Sequence, residues 1–198
     1  HPHFADVLEA AARQGVQVLA YDCLVTPDSM EIDATVPVKL RPNPLEEIPE
    51  LLLKWYDAGR RVLPWREEPT PYRVWVSEIM LQQTRVEAVK PYFHHFMQTL
   101  PDIPALASAE ENTLLKLWEG LGYYNRVRNL QKAAIQIMEH YGGEMPSQYE
   151  ELLKLKGIGS YTAGAVASIA YGRKVPAVDG NVLRVVSRLR MDEGDVLS

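Results

Sequence analysis

The sequence predicts a mainly α-helical protein preceded by a small α/β piece, and three observations carry that prediction. From Leu45 to Arg190, apolar residues recur at helical spacing in one segment after another, with no sustained strand-like alternation between them. The connections are short and punctuated by Pro and Gly, at Pro101, G-L-G-Y-Y, Gly142-Gly143 and G-I-G. Before residue 41 the pattern is different and includes two β-rich runs.

The elements follow in order. H-F-A-D-V-L-E-A-A-A-R-Q fits a helix stopped at Gly15, and V-Q-V-L-A-Y-D-C-L-V a strand. T-P-D-S then turns the chain into a short polar strand ending in V-P-V-K-L at 36–40. Two prolines in Arg41-Pro42-Asn43-Pro44 break the chain. An αββ piece of this size cannot bury a core of its own. Residues 1–41 therefore read as the tail of a preceding domain, 42–44 as a linker and 45–198 as a helical domain. Leu45, Ile48, Leu51, Leu52 and Trp55 mark an amphipathic helix, and Leu63 to Tyr72 a proline-punctuated loop. Further helices are expected near 72–83, 85–99, 111–119, 125–140, 147–155, 160–171 and 180–190. Ser147 and Glu150 are spaced as a capping box after Pro146.

The totals bound the function. With 198 residues, 46% hydrophobic and 24% charged, the composition is that of a globular protein. No apolar stretch approaches the roughly 20 residues of a membrane span, so no membrane partner is expected. The single cysteine, Cys23, excludes an internal disulfide and a four-cysteine metal site, and suits a reducing, cytoplasmic setting. A first residue that is His1 rather than Met, and a last segment without a stop pattern, suggest a piece of a longer reading frame. The net charge of -5 hides an asymmetry: residues 1–112 carry 10 Lys and Arg against 17 Asp and Glu, whereas residues 113–190 carry 11 against 6. A local basic surplus matters more to a phosphate partner than the total.

Four segments carry chemistry. L-K-G-I-G at 155–159 lies between two helical patterns, and Ser160 opens the second. Glycines at 157 and 159 permit positive φ and close approach of another backbone, and the helix start offers N–H groups to an anion. From G-x-G alone, an ordinary αα-turn with a glycine cap is the better reading. W-V-S-E-I-M-L-Q-Q-T at 75–84 sets one carboxylate, Glu78, at the start of an otherwise apolar helix, where it could also be a dipole-favoured first-turn acid. G-L-G-Y-Y-N-R-V-R-N at 120–129 puts Tyr123 and Tyr124 beside Arg126 and Arg128, and core aromatics would look the same. V-P-A-V-D-G-N-V-L-R-V at 175–185 places Asp179 before a helix, as an N-cap or something more. His94 and His95, beside Phe93 and Phe96, have no third ligand and read as structural.

Together with L-P-W-R at 63–66, these segments closely resemble the adenine-specific branch of the helix-hairpin-helix DNA glycosylases, from about residue 44 to 190. The resemblance implies base excision at adenine mispaired with 8-oxoguanine or guanine, in double-stranded DNA, by a monomer that flips the base into a pocket. It implies Glu78 as the acid that protonates adenine and Asp179 as the anion that stabilises the sugar cation. It places Trp65, Arg66, Leu81, Tyr161 and Asn181 around the substrate. Gln82, Gln83, Tyr123, Gly157, Gly159 and Ser160 would meet the DNA. Relatives that also cut the DNA backbone carry a Schiff-base lysine where this chain has Tyr161, which favours a monofunctional enzyme. The family also implies a [4Fe-4S] cluster in the full-length protein, with ligands absent from this chain, and no other metal. The 198 residues alone are expected to be poorly stable with little excision activity. An endonuclease III-like pyrimidine glycosylase and a non-catalytic helix-hairpin-helix module are the alternatives. Residues 1–41, through G-V-Q-V-L-A-Y, T-P-D-S and V-P-V-K-L, resemble the carboxy-terminal end of the sugar fermentation stimulation protein family, whose catalytic carboxylates would lie upstream of His1.

Overall fold

A computed structural model describes residues 44–190. The αββ piece, the linker residues 42–43 and the run beyond Arg190 lie outside the described residues. All regular elements among the described residues are helical, as the patterning predicts. They fall into two compact units: residues 62–177, and a second that includes the described residues 44–61 and 178–190.

In the larger unit, α2 (Pro64–Glu67), α3 (Pro71–Leu81), α4 (Val86–Thr99), α5 (Ile103–Ser108), α6 (Glu111–Leu117), α7 (Asn125–His140), α8 (Tyr149–Leu152) and α9 (Ser160–Ala165) follow one another. A π-helical turn, Val166–Ala170, continues α9. Helix α3 is the hub, touching α2, α4, α7, α9 and the π turn. Its sequence is apolar on nearly every face, which is the composition of a helix surrounded by others. Trp75, Val76 and Met80 are fully buried. Edge-on ring pairs tie the neighbours together, Trp65 with Phe93 at 5.4 Å and Phe96 with Trp118 at 6.1 Å. Gly164 is where α9 meets the 175–177 segment: a Cβ there would run into the Pro176 carbonyl oxygen.

The second unit contributes α1 (Pro44–Gly59) and α10 (Gly180–Leu189). Of the apolar stripe expected on α1, Leu51, Leu52 and Trp55 are exposed, Leu51 at 61% and Trp55 at 49%, and Ile48 is half-buried.

The structure corrects several expectations. The 63–72 loop contains the short helix α2, opened by extended Leu63 and Pro64 at its first position. Helix α5 went unpredicted, although Asp102 caps it by accepting from the Ala105 N–H at 2.8 Å. The 147–155 helix shrinks to Tyr149–Leu152, and the capping box does not form. Gln148 is the N-cap without a side-chain bond, and the Ser147 hydroxyl accepts from Arg173 Nη2 at 3.1 Å instead. His94 and His95 are exposed on α4, outside the core of Phe93 and Phe96.

Candidate active site and nucleic-acid interface

Helix α3 is capped by Thr70, whose hydroxyl accepts from the Arg73 N–H at 3.3 Å, and Pro71 is its first residue. Glu78 is therefore the eighth of eleven residues, not at the helix start. The first-turn-acid reading is overturned, because a carboxylate near the C-terminal end faces the negative pole of the helix dipole. Glu78 is 3% exposed and flanked by buried Ile79, Met80 and Leu81.

After Leu81 the chain turns sharply. Gln82 has φ -57° and ψ 112°, Gln83 has φ +57°, and Thr84 N–H donates to Leu81 O at 3.2 Å. These are the marks of a type II turn, whose third position normally takes Gly or Asn. A non-glycine residue there costs about 1–3 kcal/mol and is held by its surroundings. A second such residue is Tyr123, at φ +48°, with a side chain 67% exposed. No other non-glycine residue among those described has positive φ.

Arg126, in the first turn of α7, joins the two. Its Nη1 donates to the carbonyls of Ile79 (3.0 Å), Met80 (3.2 Å) and Gln82 (2.5 Å). Its Nη2 donates to Leu121 (2.9 Å) and Gly122 (3.2 Å). Carbonyls at the end of α3 lack helical partners, and no basic residue of α3 serves them, so this distant guanidinium does. It also lies 5.5 Å from the Trp118 ring and 5.6 Å from that of Tyr123. Burial pulls the guanidinium below its ordinary pKa, an effect opposed by Tyr123.

The hairpin is held by α7 as well. Gly157 has φ +78°, and a Cβ there would sit 2.8 Å from the Cβ of Asn129. The next anchor is Gln136, whose Oε1 accepts from the Lys156 N–H at 2.7 Å. Gly159, where positive φ was open to the chain, is instead extended at φ -92° and ψ 177° as the N-cap of α9, with open space beside it. No side chain caps α9, and its first backbone bond runs from Ala163 N–H to Gly159 O at 2.9 Å. Gly157, Gly159 and Ser160 are exposed and Tyr161 half-buried.

Trp65 is 6% exposed, its ring against Phe93, and Arg66 beside it is half-buried. Asp179 and Asn181 belong to the other unit. Asp179 caps α10: its Oδ1 accepts from the N–H groups of Asn181 (3.0 Å) and Val182 (2.9 Å), and its Oδ2 from Asn181 Nδ2 (3.1 Å). The capping reading of Asp179 thus holds, and of roughly four acceptor directions on a carboxylate one is left for a further partner.

Sequence reasoning missed Arg126, Asn129 and Gln136 as site-forming residues. Arg126 was visible only as a cation beside two aromatics, and nothing in Gln83 or Tyr123 signals positive φ. Within the larger unit the structure brings Glu78, Leu81, Gln82, Gln83 and Tyr123 together around the end of α3, with Trp65 and Arg66 on the adjoining α2.

Residues 76–196 match the family described as HhH-GPD superfamily base excision DNA repair protein. The chain is 47% identical over 156 residues to the adenine DNA glycosylase of Mus musculus and 49% identical over 148 residues to that of Homo sapiens. Those alignments cover 74% and 70% of this chain but only 30% and 27% of the relatives, so the chain spans less than a third of their length. Among solved structures it resembles a thermostable thymine-DNA glycosylase (TM-score 0.66, 29% identity, 70% of this chain and 64% of that one). It also resembles a trapped endonuclease III–DNA covalent intermediate (TM-score 0.68, 25% identity, 80% and 74%).

Proposed function

The chain belongs to the HhH-GPD superfamily of base excision DNA repair proteins, and on that basis we propose that it hydrolyses the N-glycosidic bond of adenine mispaired with 8-oxoguanine or guanine. One observation carries the reading: a glutamate 3% exposed near the C-terminal end of an apolar helix, in a stretch 47% identical to an adenine DNA glycosylase. Glu78 delivers a proton to the adenine ring, which turns the base into a leaving group. Positive charge then grows on the sugar, and Asp179 stabilises it while still capping α10. Water completes the reaction.

The remaining residues bind and orient. Gln83 and Tyr123 are exposed, on turns in unusual conformations, and enter the duplex where the flipped base leaves its stack, with Gln82 beside them. The hairpin at Gly157, Gly159 and Ser160 grips a phosphate, which positions the enzyme without reading sequence. Leu81, Trp65, Arg66, Tyr161 and Asn181 surround the substrate, with Trp65 forming the buried floor of its segment. Similarity to a glycosylase and an endonuclease III–DNA intermediate supports double-stranded DNA as the partner. No described helix is long and apolar enough to cross a membrane.

An iron–sulfur cluster needs about four cysteine thiolates. This chain has one cysteine, and among the described residues no group of three or more His, Cys, Asp or Glu could hold a metal. The residues present do not fit a cluster, and no step proposed above depends on one.

Assaying the full-length protein on duplexes with adenine opposite 8-oxoguanine, and on duplexes with an oxidised pyrimidine, tests the proposal. Release confined to adenine supports it. Release of the pyrimidine instead establishes the endonuclease III-like alternative, and binding with no release establishes a non-catalytic module.

A further inference from the structure

Two exposed residues hold left-handed backbone conformations although neither is Gly or Asn, and both turns end on one guanidinium. Gln83 follows Gln82, whose carbonyl Arg126 Nη1 binds at 2.5 Å. Tyr123 follows Leu121 and Gly122, whose carbonyls Nη2 binds at 2.9 and 3.2 Å. All five acceptors are main-chain carbonyls, so the interaction fixes backbone and not side-chain positions. The planar guanidinium matters, because its two terminal nitrogens each serve a different turn at a fixed separation. A lysine ammonium would offer its donors from a single point.

Docking of α7 does not require these bonds. Val127, Leu130, Ala133, Ala134 and Ile137 are buried along the helix and hold it to the core. The hydrogen bonds of the Arg126 side chain run to the end of α3 and to the 121–122 loop. We infer that Arg126 is a positioning residue for duplex entry: it locks the 82–83 and 121–123 turns to one another, so that Gln83 and Tyr123 meet DNA as a pre-set pair. The role rests on the reading that these two side chains enter the duplex. Pre-setting removes the cost of ordering two loops at the moment the base is unstacked.

The test uses the full-length protein as wild type, Arg126→Lys, Gln83→Ala/Tyr123→Ala, and the triple variant. Each is titrated onto a duplex holding 2-aminopurine opposite 8-oxoguanine, whose fluorescence rises when the probe leaves the stack. The expected result is about a tenfold loss of unstacking affinity for Arg126→Lys in the wild-type background and less than about twofold in the Gln83→Ala/Tyr123→Ala background. Equal losses in both backgrounds, or no loss in either, overturn the inference. Hydrogen exchange of the free proteins is the second measurement. Faster exchange confined to residues 82–84 and 121–124 supports the role, whereas lost protection throughout α3 and α7 shows a general scaffold residue and overturns it. A wild-type protein that leaves the probe stacked overturns the duplex-entry reading and this role with it, and does so before any variant is compared.

Discussion

Asp179 and Asn181 are joined twice: the Asp179 carboxylate accepts from the backbone N–H of Asn181 at 3.0 Å and from its side-chain Nδ2 at 3.1 Å. The same carboxylate takes the Val182 N–H at 2.9 Å, so the group proposed to face the sugar is also the cap of α10. The two duties are separable by substitution. Asparagine caps as well as aspartate, whereas alanine does not cap. Asp179→Ala is expected to cost about 1 kcal/mol of stability in thermal or denaturant unfolding, and Asp179→Asn well under half of that. Both should slow base release by about 10²-fold or more, since both remove the charge. If Asp179→Asn releases adenine at the wild-type rate, the residue is only a cap.

The hairpin makes a second prediction. Gly157→Ala forces an L side chain into φ +78° and sets a Cβ against Asn129, so it should destabilise by more than about 1 kcal/mol and weaken duplex binding. Gly159→Ala meets neither obstacle, because its backbone is extended and the space beside it is open. It should fold normally and lose binding only through steric conflict with DNA. Equal unfolding costs for the two would contradict the geometry given for the hairpin.

Tyr161 supplies the third. A phenol cannot form an imine with the sugar aldehyde, so the product duplex should keep an intact backbone at the abasic site until alkali is added. Denaturing gel analysis before and after alkali reads this directly. Strand cleavage by β-elimination without alkali would remove the assignment of a monofunctional enzyme.

Much of this architecture is written in local patterns. Helices α3, α4, α7 and α10 are long, strongly patterned stretches bounded by Pro, Gly or a capping side chain, and the expected spans lie within two residues of those found at each end. Helices of four to six residues carry less than two turns of periodicity, so α2 and α5 could be read only from start signals, Pro64 and Asp102 with Pro104. The capping box expected at Ser147 is not made, and its hydroxyl accepts from Arg173, a partner 26 residues away that local spacing does not show. The candidate site divides in the same way. Glu78, Asp179 and the hairpin glycines stand out as residue types in motifs. The clamp does not, because it is made by Arg126 with carbonyls up to 47 positions distant, and carbonyls have no letter in the sequence. Glu78 is a different case: Thr70 and Pro71 are legible start signals, and counting from them moves the carboxyl from the expected helix start toward the negative pole.

The most direct measurement is single-turnover adenine release by the full-length protein and its Glu78→Gln variant, from a duplex with adenine opposite 8-oxoguanine, with duplex affinity and melting temperature recorded for both. Glutamine fills the same buried space but cannot give up a proton to the base. The expected result is a rate lower by about 10²–10⁴-fold with binding and folding largely kept. Release at the wild-type rate by Glu78→Gln would contradict it.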